Sequence, residues 1–318
     1  MKSPAAWLCI TLFVALTTPL RVNGWLCLGH MLVAEIARLN VDQKLATKLE
    51  KYARHLSRSG PFPQIPTFTQ SACWPDDLKE YNLRVMNGWH YTGNIHVRGD
   101  FTPKEVTEQR SNVVSVIDSL SATLKRSDIP MYARSFALSF LVHCVGDIHQ
   151  PLHSASMMSK EYPKGDLGGN LVFVQYADTK VNLHFFWDNI CGVKATRLSR
   201  PLNPNDSEAL TKRARELMGK YPASPEEKEV TDGKTMSAES FNLVKTLVYS
   251  GIDNNTILTE SYVKKCTEIA EQRIALGGYR LARLLEKTIG AAPQSSASGT
   301  WAGITCVPRF ILLILFFV

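Results

Sequence analysis

What the chain lacks narrows its class. Its seven cysteines form no CxxC pair, which argues against a zinc ribbon, a zinc finger or a thioredoxin-type redox site. It has no repeat of fixed period and no long low-complexity segment, which excludes a solenoid and a disordered scaffold. Excess charge is scarce as well. The formal charge of +7 falls to +4 once Lys2, Arg21 and Arg309 are set aside, because segments 1–24 and 291–318 hold no acidic residue. A mildly basic surface suits a polyanionic substrate without specifying one.

The two ends of the chain differ from its middle. Lys2, an apolar stretch over residues 5–16, and the small residues Val22 and Gly24 at positions −3 and −1 read as a signal peptide spanning 1–24, whose removal leaves Trp25 as the first residue. The alternative is an uncleaved anchor with Trp25 as an interfacial aromatic, but the apolar stretch is short for a span. Residues 291–318 combine a small, polar run, AAPQSSASG, with an apolar end interrupted by Arg309. That pattern fits a glycolipid-anchor signal or a short C-terminal membrane helix, and either would tether the domain on a luminal or extracellular face, at the cell surface or in the endoplasmic reticulum. About 265 residues remain between the ends, 25–290, enough for one large domain. Cys27, Cys73, Cys144, Cys191, Cys266 and Cys306 then lie in a disulfide-permissive compartment and are expected as bridges or buried thiols, with the pairing open. Sequons at Asn205 and Asn254 sit in polar, loop-like stretches and fit the same route.

Helical periodicity dominates the middle. Residues 29–39 place His30, Ala34 and Ala37 on one stripe, and residues 111–124 carry Val113, Val114, Ile117, Leu120 and Leu124 on another. Residues 131–149 are apolar almost all round until Pro151 stops them, the mark of a buried helix. Residues 207–220, 237–249 and 260–286 also read as helices. Only 169–184 differs: LVFVQY, a turn at ADTK and VNLH predict a short β-hairpin. The fold class is therefore all-α with one small hairpin, and function belongs where buried helices carry polar side chains.

The buried helix holds His143 and Asp147 four residues apart, on one face, with His153 just beyond Pro151. His184 and Asp188 repeat the spacing. Charged groups in so apolar a setting need partners, and imidazole with carboxylate on a rigid helix is a zinc-binding combination. One HxxxD alone is more often structural; two of them with His153 point to metal. Upstream, CWPDD contains Asp76 and GWHY contains His90. Each has an ordinary alternative: a helix-cap or turn aspartate, and a core histidine bonded to a carbonyl. His149 falls six residues after His143 and is expected to point elsewhere, as a packing residue or behind the ligands. His96 also lies near these residues in the sequence, and His55 reads as a surface histidine.

These residues in this order, W-x4-H, W-x-D, an aromatic-flanked H, H-x3-D-x5-H, GGN and H-x3-D, make residues 25–192 resemble the class I zinc nucleases. These are the single-strand-specific nucleases and 3′-nucleotidases of fungi, plants and trypanosomatid parasites, which share an all-helical fold with zinc-dependent bacterial phospholipase C. The resemblance implies three Zn2+ ions. Asp76, His90, His143 and Asp147 would hold one; His153, His184 and Asp188 a second; and His30, Asp147 and the free amine and carbonyl of Trp25 the third. A terminal amine is available only after cleavage, so the cleavage site and the metal site would be one feature. The resemblance also makes Asp76 the residue that orients or deprotonates the attacking water, with Lys79 aimed at the phosphate. Asn170 would hold phosphate or base, while Tyr91 and Leu167 form jaws around an unpaired base. Without the resemblance, Lys79 reads as a solvated surface lysine. Gly93, followed by Asn94, stands where fungal members have a base-reading aspartate, and Ile190 replaces an aromatic of a secondary nucleotide site.

The implied reaction is cleavage of P–O3′ bonds in single-stranded RNA and DNA to 5′-mononucleotides, and release of phosphate from 3′-nucleotides. Metal ions suit in-line phosphoryl transfer because they activate a water and take up charge on the leaving oxygen. No obligate protein partner is evident. Two rival readings remain: a phospholipase C with the same ligands, against which Tyr91, Lys79 and the GGN loop count, and a silent, zinc-stabilised surface protein, against which the complete ligand set counts.

Overall fold

The computed structural model describes residues 25–59, 65–104, 111–192 and 198–290. Eleven α-helices supply most of it: α1 (Cys27–Leu39), α2 (Gln43–Ser59), α3 (Phe68–Ser71), α4 (Trp74–Glu80), α5 (Val113–Lys125), α6 (Met131–His149), α7 (Leu183–Asp188), α8 (Pro204–Lys220), α9 (Pro225–Glu229), α10 (Gly233–Leu243) and α11 (Glu260–Leu285). The expected helices are all present, with ends displaced by at most four residues once their π-helical turns are counted. Two carry a wider turn: the helix expected over 237–249 begins at Gly233 and becomes π-helical over Val244–Val248, and the last helix does so over Glu286–Gly290.

Helix α6 is the centre. It is buried along one unbroken run from Ala137 to His149, and α1, α2, α5 and α11 pack around it. Its neighbours show the one-sided pattern that such packing requires. Helix α2 buries Leu45, Leu49, Tyr52, Ala53 and Leu56, and α5 buries Val113, Val116, Ile117, Leu120 and Leu124. Asn112 opens α5 with a capping box shared with Ser115. Pro151 ends α6, after which Pro151–Ser154 makes one 3₁₀ turn.

The expected hairpin is β3 (Phe173–Tyr176) against β4 (Thr179–Asn182), antiparallel, with Tyr176 opposite Thr179. Its loop is only Ala177–Asp178, with Ala177 at φ 49°, and His184 lies on α7 beyond it. Three strands were not anticipated. β5 (Thr256–Ile257) joins β3 in parallel, and β1 (Ile95–Val97) pairs in parallel with β2 (Ser156–Met158). Each is two or three residues long, too short to show an alternating pattern.

Two disulfides form, Cys27–Cys73 and Cys191–Cys266, and Cys144 is a buried thiol. Both bridges fit an oxidising, secretory route. Asn254 is exposed between elements, whereas Asn205 lies in the first turn of α8 and not in a loop. No helix among the described residues is long and apolar enough to cross a membrane. The expected signal segment 1–24, Cys306 and the expected tethering tail 291–318 lie outside the described residues.

Candidate metal centre

Helix α6 presents His143 and Asp147 one turn apart, with His143 Nε2 3.1 Å from Asp147 Oδ2. Three further segments converge on that face. Helix α4 is only seven residues long, held at its start by the Cys27–Cys73 bridge and in its first turn by Arg200, which donates both arms of its guanidinium to Asp77 at 2.6 and 2.7 Å. Fixed in this way, α4 delivers Asp76 and Lys79, whose Nζ and Oδ1 are 2.5 Å apart. His90 arrives from the 3₁₀ turn Asn87–Trp89, its Nδ1 3.0 Å from Asp147 Oδ2 and 2.9 Å from His143 Nε2. His30 of α1 stacks on His143 with ring centroids 3.8 Å apart. Gly146 admits that ring, because a Cβ there would stand 2.6 Å from His30 Nδ1.

A second group lies around the end of α6. His184 and Asp188, a turn apart on α7, approach to 3.3 Å, and His153 Nε2 is 3.9 Å from Asp188 Oδ1. Gln150, fully buried, donates Nε2–H to Asp188 Oδ1 at 2.6 Å and accepts from Leu152 N–H through Oε1, which fixes its amide orientation. Nothing in the sequence pattern had marked Gln150 or Gly146. A polar residue at the end of an apolar helix was the only available signal for the former.

The donor set fits a divalent metal on three counts. A tetrahedron with bonds of ~2.0–2.1 Å has edges of about 3.3 Å, and the separations above straddle that value. His143, His153 and His184 each donate Nδ1–H to a backbone carbonyl, of Ala72, His90 and Gly168, at 2.6–2.7 Å, which leaves Nε2 as a lone pair aimed inward. And His30 Nδ1 and Nε2, His153 Nε2 and Asp147 Oδ1 are buried with no hydrogen-bond partner among the described residues, a state costing about 1–3 kcal/mol per group. A cation removes that cost.

The titration equilibria point the same way. Burial lowers His30 well below its usual value, and burial with the Lys79 ammonium lowers His90 to about 4, so both are neutral ligands at pH 7. Burial opposes ionisation of Asp147 and Asp76, but His143 and His153 outweigh it at Asp147, and Lys79 and His143 at Asp76; both stay ionised. Burial raises Asp188 well above the carboxylate range. At His143 burial is overcome by Asp147 and Asp76, which favour the charged ring. A proton there occupies the field that a metal cation would take.

All the expected ligand side chains therefore meet, in three groups able to hold an ion: His90, His143 and Asp147; His153, His184 and Asp188; and His30 with Asp76 and His143. His30 also lies 3.4 Å from Asp147. Trp25 is wholly buried and adjoins this site, since Leu26 N–H bonds the carbonyl of Asp188 at 3.0 Å. Lys79 is not a solvated lysine: its side chain is 9 % exposed and turned onto Asp76. Tyr91 is half-buried next to His90, Leu167 stands 57 % exposed, and Asn170 is buried with Nδ2–H on the Leu167 carbonyl. Ile190 is 6 % exposed and offers no surface to a second nucleotide. His149 bonds Val145 and Arg280, away from the ligands, as expected. His96 is also elsewhere, stacked on Tyr249, and His55 is half-buried on α2.

Fold and centre together define a mainly helical protein with a buried centre able to hold metal ions. The S1/P1 nuclease family model matches residues 25–290, and the chain belongs to that family of zinc-dependent hydrolytic nucleases. It is 27% identical to Endonuclease 4 of Arabidopsis thaliana over 296 residues, 87% of this chain and 94% of that protein. With Nuclease S1 of Aspergillus oryzae it shares 31% identity over 162 residues, 47% of this chain and 53% of that one. With Nuclease P1 of Penicillium citrinum it shares 24% over 285 residues, 84% and 98% of the two.

Proposed function

We propose that the protein cleaves P–O3′ bonds of single-stranded RNA and DNA to 5′-mononucleotides and removes the phosphate of 3′-nucleotides, using three zinc ions. The observation that carries this is the convergence of buried imidazoles and carboxylates around one face of α6, with three imidazole nitrogens, of His30 and His153, and one Asp147 oxygen left without a hydrogen-bond partner among the described residues. Asp76, His90, His143 and Asp147 would hold one ion, His153, His184 and Asp188 a second, and His30, Asp147 and the freed amine and carbonyl of Trp25 a third. Bound there, the ions supply Lewis acidity, activating a water and neutralising charge on phosphoryl oxygens.

The protein's own groups do the rest. Asp76, ionised and at the edge of the site, orients the attacking water and accepts its proton. Lys79 faces the phosphate from the same helix turn and shares that charge with Asp76. Tyr91 and Leu167 flank the base, and since stacking needs a bare π-face, only an unpaired base enters. Asn170, next to the loop glycines, fixes the nucleotide. Removal of residues 1–24 is required for the Trp25 ligand, and residues 291–318 would tether the domain to the luminal or extracellular side of a membrane.

The test is zinc content together with hydrolysis of 3′-AMP, single-stranded RNA and phosphatidylcholine by the protein starting at Trp25. Three zinc ions and turnover of the first two substrates support the reading. Turnover of phosphatidylcholine alone replaces it with a phospholipase C, and bound zinc with no turnover replaces it with a silent surface protein.

A further inference from the structure

The loop that carries Leu167 and Asn170 is built against the grain of the backbone. Leu167, Gly168 and Gly169 are three consecutive residues at positive φ, 57°, 63° and 83°. For glycine this is free, but for leucine it is strained, and such strain persists only where the surroundings hold it. The glycines are also the points of closest approach. A Cβ on Gly168 would lie 2.7 Å from the Leu152 carbonyl, and one on Gly169 3.3 Å from His184 N. What the strain achieves is the exposure of Leu167, more than half in solvent, beside a buried Asn170.

The residue before the loop is Asp166, a fully buried carboxylate. Its partners are neutral donors: Met157 N–H at 2.8 Å, Ser156 Oγ–H at 3.3 Å, a backbone N–H of Gly169, and the phenol of Tyr249 in a short hydrogen bond. Burial raises its pKa above the usual range. Asp166 N–H in turn donates to the Met157 carbonyl, and Leu171 N–H to the Asp166 carbonyl, so the loop is closed at both ends. Tyr249 is buried, belongs to the segment after α10, and is clamped by a parallel stack with His96 at 5.6 Å between centroids. A buried carboxylate held, among the described residues, by neutral donors alone is an expensive way to stabilise a surface loop, and a hydrophobic residue would fill the space more cheaply.

We infer that Asp166 and Tyr249 are positioning residues for nucleotide recognition: the Tyr249 hydroxyl fixes the Asp166 carboxylate, which holds Leu167 in its left-handed conformation against the substrate base. This rests on the reading that Leu167 meets the base. Both residues are buried, and neither is among the residues proposed above to hold zinc or nucleotide.

The experiment uses the zinc-loaded protein starting at Trp25, two substrates that differ only at C1′, 3′-AMP and methyl β-D-ribofuranoside 3-phosphate, in which a methoxyl replaces the base, and the variants Tyr249→Phe, Asp166→Asn and Leu167→Ala. Tyr249→Phe removes one oxygen and keeps the stacked ring. It is expected to raise KM for 3′-AMP about five- to tenfold, the equivalent of one hydrogen bond, with kcat changed less than twofold. KM for the base-free phosphate and zinc stoichiometry should not move. Asp166→Asn, which turns an amide N–H toward a donor, should do the same in the fraction that elutes folded and zinc-loaded, and the double variant should be no worse than the worse single one. Merely structural damage would shift both substrates alike and lose zinc, and that result overturns the inference. So does an unchanged KM in Tyr249→Phe while Leu167→Ala raises it. No effect of Leu167→Ala overturns the base-contact reading itself and the inference with it.

Discussion

Helix α6 has two buried polar faces, and they are put together in opposite ways. Toward the candidate metal centre, His143 and Asp147 join His30, His90 and His153 in a cluster with nitrogen and oxygen atoms left unpartnered among the described residues. On the other side, His149, Arg273, Arg280, Glu239 and Ser240 form a closed set. Arg280 reaches Glu239 at 2.6 and 2.8 Å and His149 Nε2 at 3.2 Å, and Arg273 reaches Glu239 and Ser240 at 2.9 Å each. Arg273 and Ser240 also bond the carbonyls of His149 and Ile148, capping the end of the helix. Helix α1 repeats the contrast, with unpartnered His30 on one side and Glu35 held by Arg38, Thr69 and Thr211 on the other. A cluster that satisfies itself contributes to the fold. A cluster that does not is completed by something outside the chain.

The largest effect should come from the atom the open face shares most widely. Asp147 contacts His90 and His143 through one oxygen and lies 3.4 Å from His30 through the other. Asp147→Ala is expected to lower bound zinc by two ions and turnover by at least ~10²–10³-fold, the scale seen when a charge-stabilising group is lost. Metal analysis of the purified variant checks it. A full metal complement would break the contrast, because the open face would then not be a ligand set.

Next in size is the N-terminus. A recombinant chain beginning Met-Trp25, with the methionine retained, has no amine at Trp25 to displace a proton from near pH 7.7–8.0. It should fold, lose one zinc, and lose about 10–100-fold in activity, the range for a disturbed metal shell. Intact-mass analysis with zinc stoichiometry separates it from the form processed to Trp25. Full activity in the extended form would make Trp25 a buried aromatic and nothing more.

These two sites were not equally legible. The ligand residues could be placed from sequence because i, i+4 spacing on an apolar helix is a local signal, and the resemblance joined the remote ones. The closed face could not be. Glu239 and Arg280 lie on separate helices, and each reads as an ordinary surface charge until α10 and α11 pack. Gln150 was invisible for the same reason, its partner Asp188 being 38 residues away. Helix α2 had the amphipathic spacing of Leu45, Leu49, Tyr52 and Leu56 in plain view, yet its existence was not claimed. The parallel β1–β2 pair, joining residues 61 positions apart, carries no local pattern at all.

The closed face should respond to mutation in stability, not chemistry. Glu239→Ala leaves Arg273 and Arg280, both nearly fully buried, without their shared carboxylate. Removing one partner of a buried pair costs ~3–5 kcal/mol. Because Glu239 keeps about a third of its side chain in water, about 2–3 kcal/mol is expected here. Denaturant unfolding measures it. Zinc content and kcat of the folded fraction should match the parent, and a loss of zinc would show that the two faces of α6 are not independent.

The smallest effect tests the closed cluster on α1 by pH. Burial pushes the Glu35 carboxyl up, but the Arg38 guanidinium and the Thr211 and Thr69 hydroxyls outweigh it and hold the pKa below the ordinary 4.5. In the unfolded chain Glu35 binds a proton as the pH falls through about 4.3, while in the native state it stays ionised further down. The unfolded state then holds more protons, so stability must fall with pH over that interval. The contribution is complete above about pH 5 and disappears as the pH drops through the lowered native value. Glu35→Gln should therefore be less stable than the parent at pH 6 and approach it toward pH 3. The comparison is made on zinc-free protein, so that proton competition for the metal ligands, present in both chains, cancels. Parallel stability curves for the two chains below pH 5 would mean that Glu35 gains nothing from its charge, and that its three partners hold the carboxyl by shape alone.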